Sequence, residues 1–425
     1  MVQTANHPQN SAENIVHYTI IATWLLWLVG GLYIAGPVIG CLLSLQALYF
    51  YYIAPSLPKT KRLEMPHWSI LAWLIAMTVM LVILVVGHLN FSLGTGAIIK
   101  SAIGWGKGWF LIALFIFVGA VLPIRAEIVY RAVCRTGKYT ILLLPLFLAA
   151  PFVGLPERLW VSPLQILGGS GPEYFATILY TLEPGSGAPR WQFFAPWSPA
   201  AGMIGLVYLI CALQEKDRGW RNWGIAAALA MILLSQSRLA LVGLIIIAPL
   251  PLLLGQITRP LMWFMILPFV LLAGWFATDI LEALNLAKSE FSGARADSTR
   301  VRETLGRIAV ERWRAEAFWF GHGVVERGPH LVEYMPIGSH HTWYGLLFVK
   351  GILGMFALAT PLIISIGLLL RSALTSGTGR VGLSMVLLLL MYSFGENLES
   401  LAYLYWPALL LIGIALQNCA PAQPN

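Results

Sequence analysis

Two adjacent histidines are the residues of this chain best suited to move a proton. His340 and His341 stand immediately before an apolar run that starts at Thr342. A neutral imidazole has an ordinary pKa of about 6.5 and can take a proton from a hydroxyl group near neutral pH. The pair therefore predicts a general base at the mouth of a membrane helix, and the pattern leaves open which of the two rings it is.

The same residues argue against a metal centre. Neighbouring side chains on a helix diverge by about 100°, so His340 and His341 could not both bind one ion from regular structure. The chain has only three aspartates, Asp217, Asp279 and Asp297, and they form no Asp-x-Asp pair that could hold Mg²⁺ against a diphosphate. We expect no metal and no cofactor, and a phosphate substrate would then have to be held by arginine.

Arg238 is the first candidate for that role. It follows the polar run Ser235–Gln236–Ser237 and is followed directly by LALVGLIII. An arginine this close to the apolar part of a bilayer is costly unless it is paired or faces a wet cavity. This predicts a ligand-binding arginine, and the alternative is a side chain that simply reaches to the membrane surface. Arg190, among the aromatic residues of SGAPRWQFF, is a weaker candidate of the same kind.

A second group of arginines lies in the longest polar segment, residues 279–339, which holds eight basic residues, seven of them arginine. Within it, residues 294–323 predict an amphipathic helix with an N-cap at Asp297 or Ser298. Its members Arg300, Arg307 and Arg314 are seven residues apart and so share one face. An apolar stripe suited to packing on the membrane or on the spans is formed by Val301, Leu305 and Ile308.

The arginines of residues 279–339 have two interpretations. Arginine presents a planar fork of donors that matches phosphate oxygens, which favours phosphate binding. Alternatively they form a solvated face with ion pairs four residues apart, which Glu303 and Glu311 could make with Arg307, and Glu316 with Arg312.

The composition identifies the elements that must position these groups. Hydrophobic residues make up 58% of the 425 residues and charged residues 11%, whereas soluble proteins have about 25% charged residues. The chain is therefore predicted to be an all-α polytopic membrane protein. Its apolar runs predict about twelve spans, near 16–34, 36–54, 68–88, 108–125, 139–155, 198–214, 222–235, 239–255, 259–278, 342–370, 381–395 and 400–417.

The basic loops orient these spans. With twelve spans, the short loops that carry Lys59, Arg131, Lys216, Arg259 and Arg371 all fall on one side, which we take as cytoplasmic. The predicted organisation is a cytoplasmic tail at 1–15, nine spans within 16–278 with a periplasmic loop at 156–197, the periplasmic helical segment 279–339 between spans nine and ten, three spans within 340–417, and a cytoplasmic tail at 418–425. Both termini would then be cytoplasmic and the histidines periplasmic. Basic loops beside anionic lipids explain part of the net charge of +8, so no nucleic acid is implied.

Three stretches resemble, in the same order, the membrane family of O-antigen ligases and polymerases. SQSRLALVGL (235–244) is similar to the family's Ser-Arg element that opens a span. STRVRETLGRIAVERW (298–313), followed by FGHG (320–323), resembles its arginine-rich outer helix and small-residue turn. SHHTWYGLLFVKGILG (339–354) resembles its His-Asn signature before a Gly-x-x-Gly helix. The likeness covers roughly residues 220–400. Here the family's asparagine is replaced by His341, and His340 takes the family's histidine position.

The resemblance implies a metal-independent, inverting glycosyltransferase of the bacterial inner membrane with a periplasmic active site. Its donor would be an O-antigen linked to undecaprenyl pyrophosphate, its acceptor the sugar core of lipid A, and its surroundings membrane lipids. On this hypothesis Arg238 and Arg300, with Arg190 and Arg302, hold the pyrophosphate, and His340 or His341 is the base. Arg307 and Arg314 are assigned to acceptor phosphates from charge alone.

Other functions fit the same pattern. An O-antigen polymerase or a protein O-oligosaccharyltransferase of the family would differ only in the acceptor. A lipid or polysaccharide transporter would require more charged or helix-breaking residues at mid-membrane than the chain shows. Lys350 is the main exception, and Glu396 and Glu399 are expected near the outer face. A membrane scaffold would have no need of the outer arginines and histidines. The strongly basic outer segment favours an anionic acceptor, and hence the ligase.

Overall fold

The computed structural model describes residues 7–53, 63, 65–169, 171–183, 187–257, 259–260 and 296–419, with scattered positions between 264 and 282. Most of these residues are helical. Six helices are long and apolar enough to cross a membrane, at Leu32–Tyr52, Trp68–Asn90, Thr95–Val121, Ala126–Ala149, Thr342–Ala373 and Leu398–Gln417. This agrees with the predicted all-α membrane class, whereas the count of twelve spans stays a prediction.

The helices and strands follow one another along the chain as α1 Ser11–Ile21, α2 Thr23–Leu28, α3 Leu32–Ile53, α4 Trp68–Asn90, α5 Thr95–Lys107, α6 Trp109–Val121, α7 Ala126–Ala149, β1 Arg158–Val161, β2 Ala176–Ile178, β3 Tyr180–Leu182, β4 Pro189–Trp191, α8 Ser198–Gln214, α9 Arg218–Leu234, α10 Arg238–Ile246, α11 Leu250–Leu254, α12 Ala296–Glu316, α13 Thr342–Ala373, α14 Gly377–Ser393 and α15 Leu398–Gln417. β1 pairs with β2 and β3 with β4, both antiparallel. The predicted loop 156–197 is therefore partly built of two small sheets.

Several predicted boundaries are wrong. The first predicted span is two short helices, α1 and α2. The ninth, 259–278, lies mostly outside the described residues and stays a prediction. Helix α7 starts at Ala126 instead of 139, so Arg131 lies within a helix and not in a loop. The reason is tertiary, because the guanidinium of Arg131 makes a buried ion pair with Glu215, at 2.9 Å. A charge that is paired in this way no longer marks a helix end.

The outer helix α12 also differs from its prediction. It runs over Ala296–Glu316, so it ends seven residues before the predicted Gly323, and Asp297 and Ser298 lie inside it instead of capping it. Of the two surfaces predicted for the apolar stripe, membrane or protein, the structure shows packing on protein. Val301 and Leu305 are buried against Val332, and Ile308 packs beside them.

Close helix approach sets the position of α15, the most buried of the candidate spans. A Cβ added at Gly413 would lie 2.0 Å from the Ile116 carbonyl oxygen, and one at Gly119 would lie 2.3 Å from that of Leu410. Small residues let apolar helices approach backbone to backbone. The α6–α15 pair therefore forms a fixed core from which the first turn of α15 is presented at one end of the bundle.

Candidate active site

The predicted histidines lie where three chain breaks meet at one end of the bundle. We call this meeting point the lip and define it as residues 235–238, 339–343 and 392–397. The Thr342 hydroxyl donates to the Glu396 carbonyl at 2.7 Å and accepts from the Leu398 amide at 3.1 Å. The Trp343 indole donates to the Ser393 hydroxyl at 2.8 Å. The start of α13 is thus fixed to the turn between α14 and α15.

The break between α9 and α10 forms the second side of the lip. Helix α9 ends at Leu234 and α10 starts at Arg238, as the polar run predicted, and the Ser237 hydroxyl caps the new helix. Gln236 has φ +50°, a left-handed conformation that is uncommon outside glycine. A Cβ at Gly395 would lie 2.9 Å from Leu239 Cδ2, so the break also packs against the α14–α15 turn.

The hairpin β3–β4 places Arg190 on this break. Its guanidinium donates to the Ser235 carbonyl at 3.3 Å and forms an ion pair with Glu183, also at 3.3 Å. The Gln236 amide donates to the Pro189 carbonyl at 3.3 Å. Two of the predicted pyrophosphate ligands, Arg190 and Arg238, therefore meet at the α9–α10 break.

Glu396 is a site residue that sequence reasoning missed as a candidate. It is 2% exposed, and its carboxylate accepts a 2.9 Å hydrogen bond from the Trp197 indole. Burial raises the pKa of Glu396 to about 7, although the charge of Arg302 and the Trp197 hydrogen bond act in the opposite direction. A carboxyl group that is half ionised near neutral pH is typical of functional sites. The one signal in the sequence was an acid at the end of an apolar run.

His340 adopts φ +61°, so the first ring of the pair stands on a left-handed residue and not on a helix. Burial, helped by the positive charge of Arg302, lowers the pKa of His340 to about 4. The ring is therefore neutral at physiological pH and able to accept a proton. Arg302 influences both His340 and Glu396, so it lies within electrostatic reach of each of them.

His341 is the N-cap of α13, and this fixes its tautomer. Its Nδ1 accepts from the Tyr344 amide at 3.3 Å, so in the neutral ring the proton is on Nε2. The ring stacks on Tyr344, with centroids 3.9 Å apart, and meets Phe394 edge-on. Burial lowers the pKa of His341 to about 4 as well. In this arrangement His341 offers a hydrogen-bond donor, whereas a base needs a free lone pair.

An open groove of about 610 Å³ lies between α12 and the lip. The predicted arginines that line it are Arg302, Arg307 and Arg314, together with the histidine pair's second ring, His341. Glu303, Gly306, Val310, Glu311 and Tyr344 complete the groove. Arg300 is exposed on α12 and is not among the lining residues. The structure thus brings together four of the predicted residues in the groove, and Arg190 and Arg238 separately at the break.

The arginines of α12 differ in whether they form the predicted ion pairs. The i, i+4 pair between Arg312 and Glu316 is present at 2.8 Å, and Arg312 also contacts Glu326. Within the described part of the chain, no ion pair engages Arg302 or Arg307. The groove therefore presents the guanidinium groups of Arg302 and Arg307 to solvent. Arg312 does not line the groove, and its charge is paired with Glu316 and Glu326.

Among the residues that the structure describes, no group of three or more His, Cys, Asp and Glu side chains is placed to hold a metal ion. The basic side chains that line the groove are Arg302, Arg307 and Arg314.

Comparison with known proteins adds no assignment. No protein-family model and no curated protein matches this chain. The family resemblance thus remains an expectation from the motifs, and a functional proposal has to rest on the geometry of the lip and the groove.

Proposed function

We propose that this chain is a membrane-embedded glycosyltransferase that transfers O-antigen polysaccharide from undecaprenyl pyrophosphate to a sugar hydroxyl of the lipid A core. The observation that carries the proposal is the position of Arg302. It lines the groove and is also close enough to His340 to lower that ring's pKa. A phosphate held by Arg302 would therefore lie within reach of a neutral base.

The proposed reaction is a single displacement. The acceptor oxygen attacks the anomeric carbon of the donor sugar from the side opposite the diphosphate, and its proton passes to His340. The bond between the anomeric carbon and the diphosphate oxygen breaks, and the electron pair leaves with the diphosphate. Arginine side chains stabilise the negative charge that develops there, first of all Arg302 in the groove. Arg238, Arg300 and Arg190 lie outside the groove lining, and their contact with the diphosphate stays a prediction from the motifs. The result is inversion at the anomeric carbon.

Donor binding would also activate the base. The charge of Arg302 contributes to the low pKa of His340. A diphosphate beside Arg302 would offset that charge and raise the pKa of the ring, because a nearby anion favours the protonated form. His340 would then be a stronger base only when the donor is bound. Glu396, in its ionised form, would offset the charge of Arg302 in the same direction.

His341 and the other groove residues would position the acceptor. The Nε2–H of His341 would donate to an acceptor hydroxyl, since its Nδ1 already caps α13. Arg307 and Arg314 would hold the acidic groups of the acceptor in the same groove. This assignment favours His340 as the base, as the family resemblance also implies.

The test is glycan transfer in a ligase-deficient strain that expresses this chain, and then with purified protein in detergent with a chelator present. Wild type should restore long-chain lipopolysaccharide. His340→Ala should reduce transfer by about 10²–10⁴-fold, the usual effect of removing a general base. Arg302→Ala and Glu396→Ala should also reduce it, with membrane levels unchanged. Matched controls are Arg327→Ala and His330→Ala, which alter exposed residues of the same outer segment away from the groove.

Two results would contradict the proposal. Full activity of His340→Ala would exclude that ring as the base. A wild-type protein that changes the length of the lipid-linked donor, yet transfers nothing to lipid A core, would be a polymerase that uses the same reaction on another acceptor.

A further inference from the structure

Helix α13 is interrupted, and an outer segment is bonded into the interruption. Gly351 has φ +63°, a left-handed conformation that breaks the helix. We call residues 317–323 the insert segment. Its carbonyls at Phe318 and Trp319 accept from the Ile352 and Leu353 amides at 3.0 and 3.3 Å. Its last two amides donate to the Phe348 and Val349 carbonyls, each at 2.9 Å.

These four bonds satisfy backbone groups that the break in α13 would otherwise leave without partners. A Cβ at Gly321 would lie 2.3 Å from the Lys350 nitrogen, and one at Gly351 would lie 2.4 Å from the Trp319 carbonyl oxygen. The two glycines therefore allow the backbones to meet. Since the insert segment directly follows α12, the connection determines where the arginine-bearing helix can lie.

His322 stands at the end of the insert segment with both ring nitrogens engaged by acceptors. Its Nδ1 is 3.0 Å from the Phe348 carbonyl oxygen, and its Nε2 is 2.8 Å from a carboxylate oxygen of Glu316. A neutral imidazole has one N–H, whereas a carbonyl and a carboxylate can only accept. The geometry therefore requires a proton on each ring nitrogen or a protonated Glu316.

Glu316 is the ionised member of this pair. Hydrogen bonds from Arg312 and then His322 lower the pKa of Glu316 to about 2, so this acid is a carboxylate. His322 is 1% exposed, stacked on Phe348 with centroids 4.2 Å apart, and close to Phe91. A buried cation so placed is stabilised by its ion pair.

Charged and titratable residues lie on each element that packs against the insert segment. Helix α12 contributes Glu316 and Arg312, and Arg312 also pairs with Glu326. Helix α4 contributes His88, whose Nδ1 would lie 2.9 Å from a Cβ at Gly323, and α13 contributes Lys350, whose backbone nitrogen adjoins Gly321. With His322 protonated, the group of Arg312, His322, Glu316 and Glu326 has no net charge.

We propose that His322 is a proton-dependent latch that ties the end of α12 to α13 and so positions the arginines of the groove. Loss of one proton would place a ring lone pair against the Glu316 carboxylate and remove the hydrogen bond between them. The end of α12 would then be held by fewer contacts. The docking of α12 is independent of any reaction, whereas its consequence for glycan transfer rests on the proposed function.

The test is hydrogen–deuterium exchange of the α12 amides in the full-length protein in detergent, from pH 5.5 to 8.5, corrected for the intrinsic pH dependence of exchange. In wild type, exchange should become roughly tenfold faster as His322 loses its proton, the effect of losing one hydrogen bond to a charged group. His322→Gln should exchange fast at every pH. His330→Gln, a change at an exposed histidine of the same outer segment, should follow wild type.

Glu316→Gln separates the latch from simple packing. A glutamine amide can donate to Nε2 of a neutral His322, while Nδ1–H still donates to Phe348. This variant should therefore keep α12 protected at high pH and lose the pH dependence. Wild-type exchange that is independent of pH would overturn the latch, and so would a Glu316→Gln profile that matches wild type. Neither result depends on glycan transfer, so failure here is distinguishable from failure of the proposed function.

Discussion

At the scale of single residues, the lip combines strained backbone with buried polar groups. His340 and Gln236 both have positive φ, and both belong to motifs that the sequence singled out. Side chains with a Cβ adopt this conformation at some cost, and such residues cluster at functional sites. The surrounding hydrogen bonds of Thr342 and Ser237 hold the lip in place. The strain is therefore maintained by contacts that do not themselves depend on the histidines.

The histidine pair should make the fold sensitive to acid. Both folded-state pKa values are about 4, against an ordinary value of 6.5. Between these values the unfolded chain takes up protons that the folded chain does not. The contribution to stability is thus complete above about pH 6.5 and is lost as the pH falls through 4. Replacing either ring by glutamine should reduce this loss.

The measurement is the thermal midpoint of purified protein from pH 7.5 to 4. The fall in Tm should be smaller for His340→Gln and His341→Gln than for wild type. The difference should be roughly 2–4 °C for each kcal/mol of stability that protonation of the replaced histidine no longer removes. The exposed His330→Gln is the matched control and should fall as wild type does. Identical profiles for all four proteins would show that the pair is not protected from protonation in the folded state.

At the scale of elements, the groove exists because α12 lies directly on the start of α13. A Cβ at Gly306 would be 2.6 Å from Tyr344 Cε2, so the tyrosine ring lies flat against the helix. The Tyr344 ring also stacks on His341, with ring centroids 3.9 Å apart. Gly306 is thus required for close approach, although glycine weakens a helix by about 1 kcal/mol relative to alanine.

Gly306→Ala is therefore expected to be harmful at a position where helix propensity alone predicts a gain. The added methyl group should displace Tyr344 and with it His341, at a cost of about 1–3 kcal/mol for overpacking. We expect a lower Tm and reduced glycan transfer. Gly104→Ala is the matched control, because a Cβ at this glycine within α5 meets nothing within 4 Å. If both variants were equally stable, α12 would not be packed on Tyr344 in solution.

The sequence predicts the positions of these helices better than it predicts which residues contact one another between them. Apolar runs are sufficient to locate most helices, and the break at residues 235–237 was visible because polar residues interrupt such a run. The start of α7 was missed because Arg131 is balanced by Glu215, 84 residues away. Glu396 was missed as a candidate for the same reason, since Trp197 and Arg302 are distant in sequence. Partners that only the fold brings together cannot be inferred from local pattern.

At the scale of the whole molecule, helix ends sort onto two ends of the bundle. Arg125 binds Glu13 at 2.7 Å, and the His67 amide donates to Gln417 at 2.9 Å, which joins residues near both termini to the starts of α4 and α7. Arg131 and Glu215 add the start of α9 to this end. The lip lies at the other ends of α9 and α15, and the groove adjoins it between α12 and the start of α13. The paired basic residues of α7 and the arginines of the groove therefore lie at opposite ends of the bundle.

This arrangement predicts the orientation of the protein in the membrane. Basic loops favour the cytoplasmic side, so the end that holds Arg131 and both termini should face the cytoplasm, and the groove should face the periplasm. Single cysteines at Lys216 and Arg371 would mark the first end, and cysteines at Arg327 and Glu333 the second. In spheroplasts, a membrane-impermeant maleimide should label only Arg327→Cys and Glu333→Cys above the background of the four native cysteines. Lysis should expose the other two sites. Labelling of Lys216→Cys in intact spheroplasts would instead place the groove in the cytoplasm, where a periplasmic acceptor could not reach it.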